Sequence, residues 1–185
     1  VEDKANLPYG TKTPDELHEL VLPLLQSMQD DGCEIIVIAC NTVTTNIIET
    51  LRAELTVPLI GMEPMVKPAA EQTRAGIIAV CATPATLHSK RYQWLKETYA
   101  KGVTVLEPDC SDWAALIEDN QINREHIHDQ IESVCDQGAD VIVLGCTHYH
   151  WIEGIIKEAA GSRAVVIQPE SPVIEQLKRV IAQQP

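Results

Sequence analysis

The sequence predicts an α/β protein built as two pseudo-symmetric parallel-sheet lobes with a ligand cleft between them. Three observations carry this. Short apolar, β-branched runs alternate with helical stretches along the chain. Runs such as Glu34-Ile-Ile-Val-Ile-Ala39 lack polar/apolar alternation, as fits strands buried on both faces of a parallel sheet. And one strand-plus-turn segment occurs twice.

Each element has its own local signal. Residues 13–30 read as a helix, with Thr13 as cap, Pro14 at the first helical position and Glu16 completing a capping box. A strand at 34–39, a helix at 44–55 and a strand at 57–61 follow. Next come a strand at 75–81, a helix at 84–99, a strand at 102–106 and helices at 112–119 and 123–137. A strand at 140–145, a helix at 152–160, a strand at 164–167 and a helix at 172–183 complete the pattern.

The 185 residues suffice for one large domain or two small lobes, and 45% are apolar. A net charge of −13 disfavours nucleic acid, whose phosphates need a basic surface. No apolar run approaches the roughly 20 residues of a membrane span. The opening Val1-Glu2-Asp3-Lys4 is polar and unlike a secretory leader, so the expected compartment is the cytoplasm. None of the six cysteines shows C-x-x-C spacing, and reduced thiols are expected.

The repeat is the most informative feature. Gly32-Cys-Glu-Ile-Ile-Val-Ile-Ala-Cys40-Asn-Thr42 parallels Gly138-Ala-Asp-Val-Ile-Val-Leu-Gly-Cys146-Thr-His148. In both copies the cysteine sits where a buried strand ends and a helix begins. Ligands of parallel sheets bind at that carboxyl end. A helix N-terminus also favours the thiolate. Two such lobes face to face present two thiols to one cleft. Inverting a carbon centre needs that pair, because one group removes a proton from one face while the other delivers one to the opposite face. Hydroxyls and backbone N–H groups at these junctions suit the developing negative charge. The chemistry requires no metal and no pyridoxal cofactor.

These residues resemble those of the glutamate racemases, within the aspartate/glutamate racemase superfamily. Pro8-Tyr9-Gly10 is similar to the family's substrate-binding motif, Ala39-Cys40-Asn41-Thr42 to its first cysteine motif and Leu144-Gly145-Cys146-Thr147-His148-Tyr149 to its second. Thr83-Pro-Ala-Thr86 resembles its threonine-rich turn, and Cys110 with Glu118 eight residues later matches another recurring pair. The resemblance implies flavodoxin-like lobes, here 1–64 with 169–185 and 65–168. It implies that L-glutamate is converted to D-glutamate for peptidoglycan without a cofactor. Cys146 would act on the L-isomer and Cys40 on the D-isomer. His148 would assist Cys146, and Glu118 would be a secondary acid–base group. Tyr9, Gly10, Asn41, Thr42, Thr83, Thr86 and Thr147 would hold the substrate, and a homodimer is left open. An aspartate or hydantoin racemase, or a related isomerase or decarboxylase, is the sister reading. A non-catalytic binding protein on the same scaffold is the alternative of another class.

Three features depart from the family pattern. An Asp-Ser-Gly turn normally precedes Pro-Tyr-Gly, and its aspartate assists the first cysteine. The sequence starts after it, so a strand, a helix and a second strand are expected to be missing. His150 stands where proline is usual, and Gln168-Pro-Glu-Ser171 where an aspartate is more frequent.

Other residues have plainer readings. Cys146, His148 and His150 on one short loop rarely close a metal site, so none is expected. His150 reads as a helix-start or packing residue. Cys33, Cys81 and Cys135 read as packing residues, and Cys110 more as packed thiol than as site residue. Thr83 and Thr86 suit helix capping as well as substrate binding. Trp94, Trp113 and Trp151 are expected in packing.

Overall fold

The computed structural model describes residues 1–183; of the segment 169–185 expected in the first lobe, 184–185 lie outside the described residues. Two 3-10 turns, Lys4–Asn6 and Tyr9–Thr11, lead into α1 (Pro14–Asp30). The capping box forms: the Glu16 N–H donates to Thr13 Oγ1, and Glu16 Oε2 accepts from the Thr13 N–H at 2.7 Å. Leu17, Val21 and Leu25, four apart, form the buried face of α1. They pack on β1 (Ile36–Ile38), α2 (Asn41–Glu54) and β2 (Leu59–Gly61). Each such fully buried aliphatic side chain is worth about 1.5–3 kcal/mol. β1 and β2 pair in parallel, Ile36 against Leu59 and Ile38 against Gly61. Among the described residues β1 is bonded to β2 alone.

The second lobe opens with α3 (Val66–Gln72) and is organised on four parallel strands: β3 (Ile77–Ala82), β4 (Thr104–Leu106), β5 (Val141–Gly145) and β6 (Val165–Ile167). Their order is β4-β3-β5-β6. The order reverses direction between β3 and β5, where a crevice opens beyond the strand ends. Ala82 pairs with Gly145 at that end, so Thr83 and Cys146 emerge side by side. α6 (Trp113–Glu118), α7 (Arg124–Asp136) and α8 (Glu153–Ala160) cover one face. α3 and α5 (Lys90–Tyr99) cover the other. The chain then returns through α9 (Glu170–Ala182), which contacts β2 of the first lobe. Among the described residues no helix is long and apolar enough to cross a membrane.

The alternation of strands and helices is as the sequence predicts, with three local corrections. The helix expected over 84–99 is two helices, α4 (Pro84–Leu87) and α5. Ser89 separates them: its Oγ donates to the Thr86 carbonyl at 2.8 Å and accepts from the Tyr92 N–H at 3.2 Å, capping a new helix. α3 had no expectation; its seven residues contain Pro68, and Val66 and Ala69 alone are buried. The segment after Cys146 is not directly α-helical but a 3-10 helix, Thr147–Ile152, leading into α8.

Candidate active site

One cavity of about 390 Å³ lies between the lobes, and both cysteines of the repeat line it. Cys40 sits on the first lobe, two residues beyond β1, and Cys146 on the second, directly after β5. Tyr9, Gly10, Asn41, Thr42, Thr83, Thr147, His148 and Glu118 share the wall. Of the residues named from sequence, Thr86 is fully buried behind Thr83 and outside the lining. α1 and β1 supply an apolar flank that includes Val21, Leu25, Ile36 and Ile38.

The two thiols have nearly the same backbone. Cys40 caps α2 at φ −149°, ψ 117°, and Cys146 caps the 3-10 helix at φ −145°, ψ 135°. Backbone N–H groups of Val43 and Thr42 favour the Cys40 thiolate, and those of His148 and Tyr149 favour that of Cys146. The helix-terminus effect read from sequence is therefore present, but burial outweighs it. Desolvation pushes Cys40 above the ordinary thiol range and Cys146 up to about 12. Charge on Cys40 contributes to this rise. Both thiols therefore rest protonated near neutrality, and ionisation of one disfavours ionisation of the other. A thiolate generated here is a strong base.

His148 turns back on its own cysteine. Its Nδ1 lies 3.7 Å from Cys146 Sγ, and its Nε2 lies 2.7 Å from Glu118 Oε1 at the C-terminal end of α6. Carboxylate, imidazole and thiol thus form a chain along which a proton can be held or passed. Cys110 is no part of it. It is buried in the core, where Tyr149 donates to its carbonyl at 2.8 Å.

Thr42 does different work. Its hydroxyl lies 2.9 Å from that of Thr83 and 3.2 Å from that of Thr86, and the latter two are 3.1 Å apart. This buried ring of hydroxyls joins the lobes. Thr83 precedes α4 yet makes no side-chain cap bond, so its hydroxyl serves the ring instead. Asn46, which the sequence did not single out, adds a second bridge: its Nδ2 donates to the carbonyls of Thr42 and Ala85. Gly10 completes the contact, since a Cβ there would stand 2.7 Å from Thr83 Cβ.

Asn41 is only 2% exposed, and among the described residues neither its Oδ1 nor its Nδ2 has a hydrogen-bond partner. Leaving such a group unsatisfied costs about 1–3 kcal/mol, which a polar ligand offsets. Two tryptophans are not where the sequence put them. Trp94 lies under Arg91 at the surface, and Trp151 is 76% exposed at the cavity wall; Trp113 is in the core. Asp3, also on the wall, accepts from the Tyr9 hydroxyl at 2.6 Å. Sequence gave no signal for it, because its partner lies six residues on and the contact depends on the intervening turns.

Comparison with known proteins shows the family of the chain. The family model described as Asp/Glu/Hydantoin racemase matches residues 2–177. The glutamate racemase of Herpetosiphon aurantiacus is 34% identical over 184 residues, covering 97% of this chain and 72% of that protein. That of Methylococcus capsulatus is 34% identical over 183 residues, covering 97% and 68%. Among solved structures, glutamate racemase from Aquifex pyrophilus superposes with a TM-score of 0.75 at 32% identity, over 96% of this chain and 71% of that one. The Escherichia coli glutamate racemase, in complex with L-glutamate and activator UDP-MurNAc-Ala, gives a TM-score of 0.83 at 21% identity over 98% and 71%, a likeness of fold. The chain belongs to the Asp/Glu/hydantoin racemase family.

Proposed function

We propose that the protein interconverts L- and D-glutamate by a two-thiol mechanism that needs no cofactor, in the cytoplasm, supplying D-glutamate for peptidoglycan. The observation that carries this reading is that Cys40 and Cys146 open from opposite lobes onto one cavity. The curated relatives that align over nearly the whole chain are glutamate racemases, which supports glutamate over the smaller aspartate. The reading assigns 1–64 with 169–185 to the lobe of Cys40 and 65–168 to that of Cys146.

In the L-to-D direction the Cys146 thiolate takes the α-proton, and the protonated Cys40 delivers its proton to the opposite face. The reverse direction exchanges these roles. Asn41, the hydroxyl of Thr147 and the N–H groups after each cysteine bind the carboxylates and spread the charge that develops at the α-carbon, with Thr83 holding the wall behind them. Burial serves the chemistry, because a desolvated thiolate is basic enough to remove a weakly acidic C–H proton. His148, backed by Glu118, holds the proton that Cys146 must lose before it acts on the L-isomer.

The test is incubation with L-glutamate in heavy water. Deuterium is expected at the α-position of the D-glutamate formed, with optical rotation falling to zero. Intact, folded protein that binds glutamate but exchanges no α-hydrogen would contradict the racemase reading and leave a binding protein.

A further inference from the structure

Asn46 lies inside α2, six residues beyond Cys40, where asparagine does little for the helix itself. Its Nδ2 carries two hydrogens and meets two carbonyls. One is that of Thr42, a turn back in the same helix at 2.8 Å; the other is that of Ala85, in the opposite lobe at 3.1 Å. The Thr45 hydroxyl is farther off, at 3.4 Å. The amide has one orientation here, because turning it over would set Oδ1 against both carbonyls.

Ala85 is open to this contact because of how α4 ends. The Ser89 N–H goes to the Thr86 carbonyl at 3.1 Å instead of continuing the helix to Ala85, four residues back. Among the described residues the Ala85 carbonyl takes no backbone N–H, so Asn46 serves an acceptor that the short helix leaves free. The other copy of the repeat has no such bridge. Six residues beyond Cys146 stands Ile152, buried in the core of its own lobe.

The bridge lies in line with both sulfurs. Thr42 reaches the second lobe twice, by its hydroxyl to Thr83 and Thr86 and by its carbonyl through Asn46 to Ala85. One contact leaves two bodies free to turn about it; a second, set apart from the first, removes that freedom. The Thr42 N–H faces the Cys40 sulfur. Thr83 follows Ala82, whose partner in the sheet is Gly145, the residue before Cys146. Asn46 itself does not line the cavity between the lobes.

We propose that Asn46 is a positioning residue for the two-thiol reaction: its amide fixes the angle between the lobes and so holds Cys40 facing Cys146 across the cavity. The inference rests on the racemase reading. Neither the resemblance nor the repeat assigns Asn46 a role.

Three variants separate this role from a local one. Asn46→Leu suits a helix better but donates nothing, Asn46→Asp sets an oxygen against the two carbonyls, and Asn46→Gln keeps the donor on a longer arm. Racemisation is measured from L- and from D-glutamate, beside denaturant unfolding. The kcat is expected to fall about tenfold in Asn46→Leu and about 10²-fold in Asn46→Asp, alike in both directions, with KM within about threefold of the wild type. Asn46→Gln is expected to lie between Asn46→Leu and the wild type. Folded Asn46→Leu with kcat within about twofold of the wild type overturns the proposal, and so does a loss confined to KM. Asn46→Leu carries the test alone if Asn46→Asp does not fold. A racemising wild type with unaffected variants removes this inference and leaves the racemase reading. A wild type that does not racemise glutamate removes both.

Discussion

Cys40-Asn41-Thr42 and Cys146-Thr147-His148 occupy matching places at the ends of β1 and β5, yet the third residue of each does a different job. Thr42 turns to the opposite lobe and joins the hydroxyl ring with Thr83 and Thr86. His148 turns to its own cysteine and links it to Glu118. The local helix differs in step with this. Fourteen residues of α-helix follow Cys40, whereas a tighter 3-10 helix follows Cys146. A duplicated strand-end thiol has thus been supported in two ways: by lobe-to-lobe contact on one side and by proton handling on the other.

Replacement of the thiols themselves should have the largest effect. Cys40→Ser and Cys146→Ser are each expected to slow racemisation by about 10²–10⁴-fold, since a serine hydroxyl holds its proton far too tightly. Polarimetry on both isomers checks this. A variant that keeps its rate would end the equivalence of the two sulfurs.

His148→Asn and Thr42→Val probe the divergent third position. His148→Asn is expected to cost about 10²-fold in rate and to raise the α-deuterium isotope effect from L-glutamate more than from D-glutamate, because Cys146 alone loses its partner. Thr42→Val is expected to cost about 1 kcal/mol of stability in denaturant titration, with the ratio of the two isotope effects unchanged. Isotope effects that move together in His148→Asn would place the histidine outside the proton path.

The smallest effect concerns alkaline stability. Burial pushes Cys146 up to about 12, so the folded protein keeps a proton that the unfolded chain releases. This contribution is complete below about pH 8.5 and is lost as pH rises toward the folded value. Denaturant midpoints at pH 8 and 10 should fall less in Cys146→Ser than in the wild type. An equal fall would assign the alkaline loss to other groups.

The parts of this design that were legible in the sequence are those written in adjacent residues. The apolar runs that became β1, β3 and β5, the capping box at Thr13 and the spacing of the two cysteines are local signals, and each appears in the structure. What escaped depends on distance or on competition. The Thr42–Thr83 contact spans 41 residues, and no pattern in either segment announces it. The helix over 84–99 is helical in propensity throughout, and one serine hydroxyl breaks it. The thiol pKa was read from the helix terminus alone, whereas the depth of the cavity decides its direction.

The bare backbone at Gly10 has a consequence for how far the jaws of this molecule can shut. Any side chain at that position would meet Thr83 like a doorstop, pressing the halves apart. The close seating of the two halves rests there on a missing methyl group.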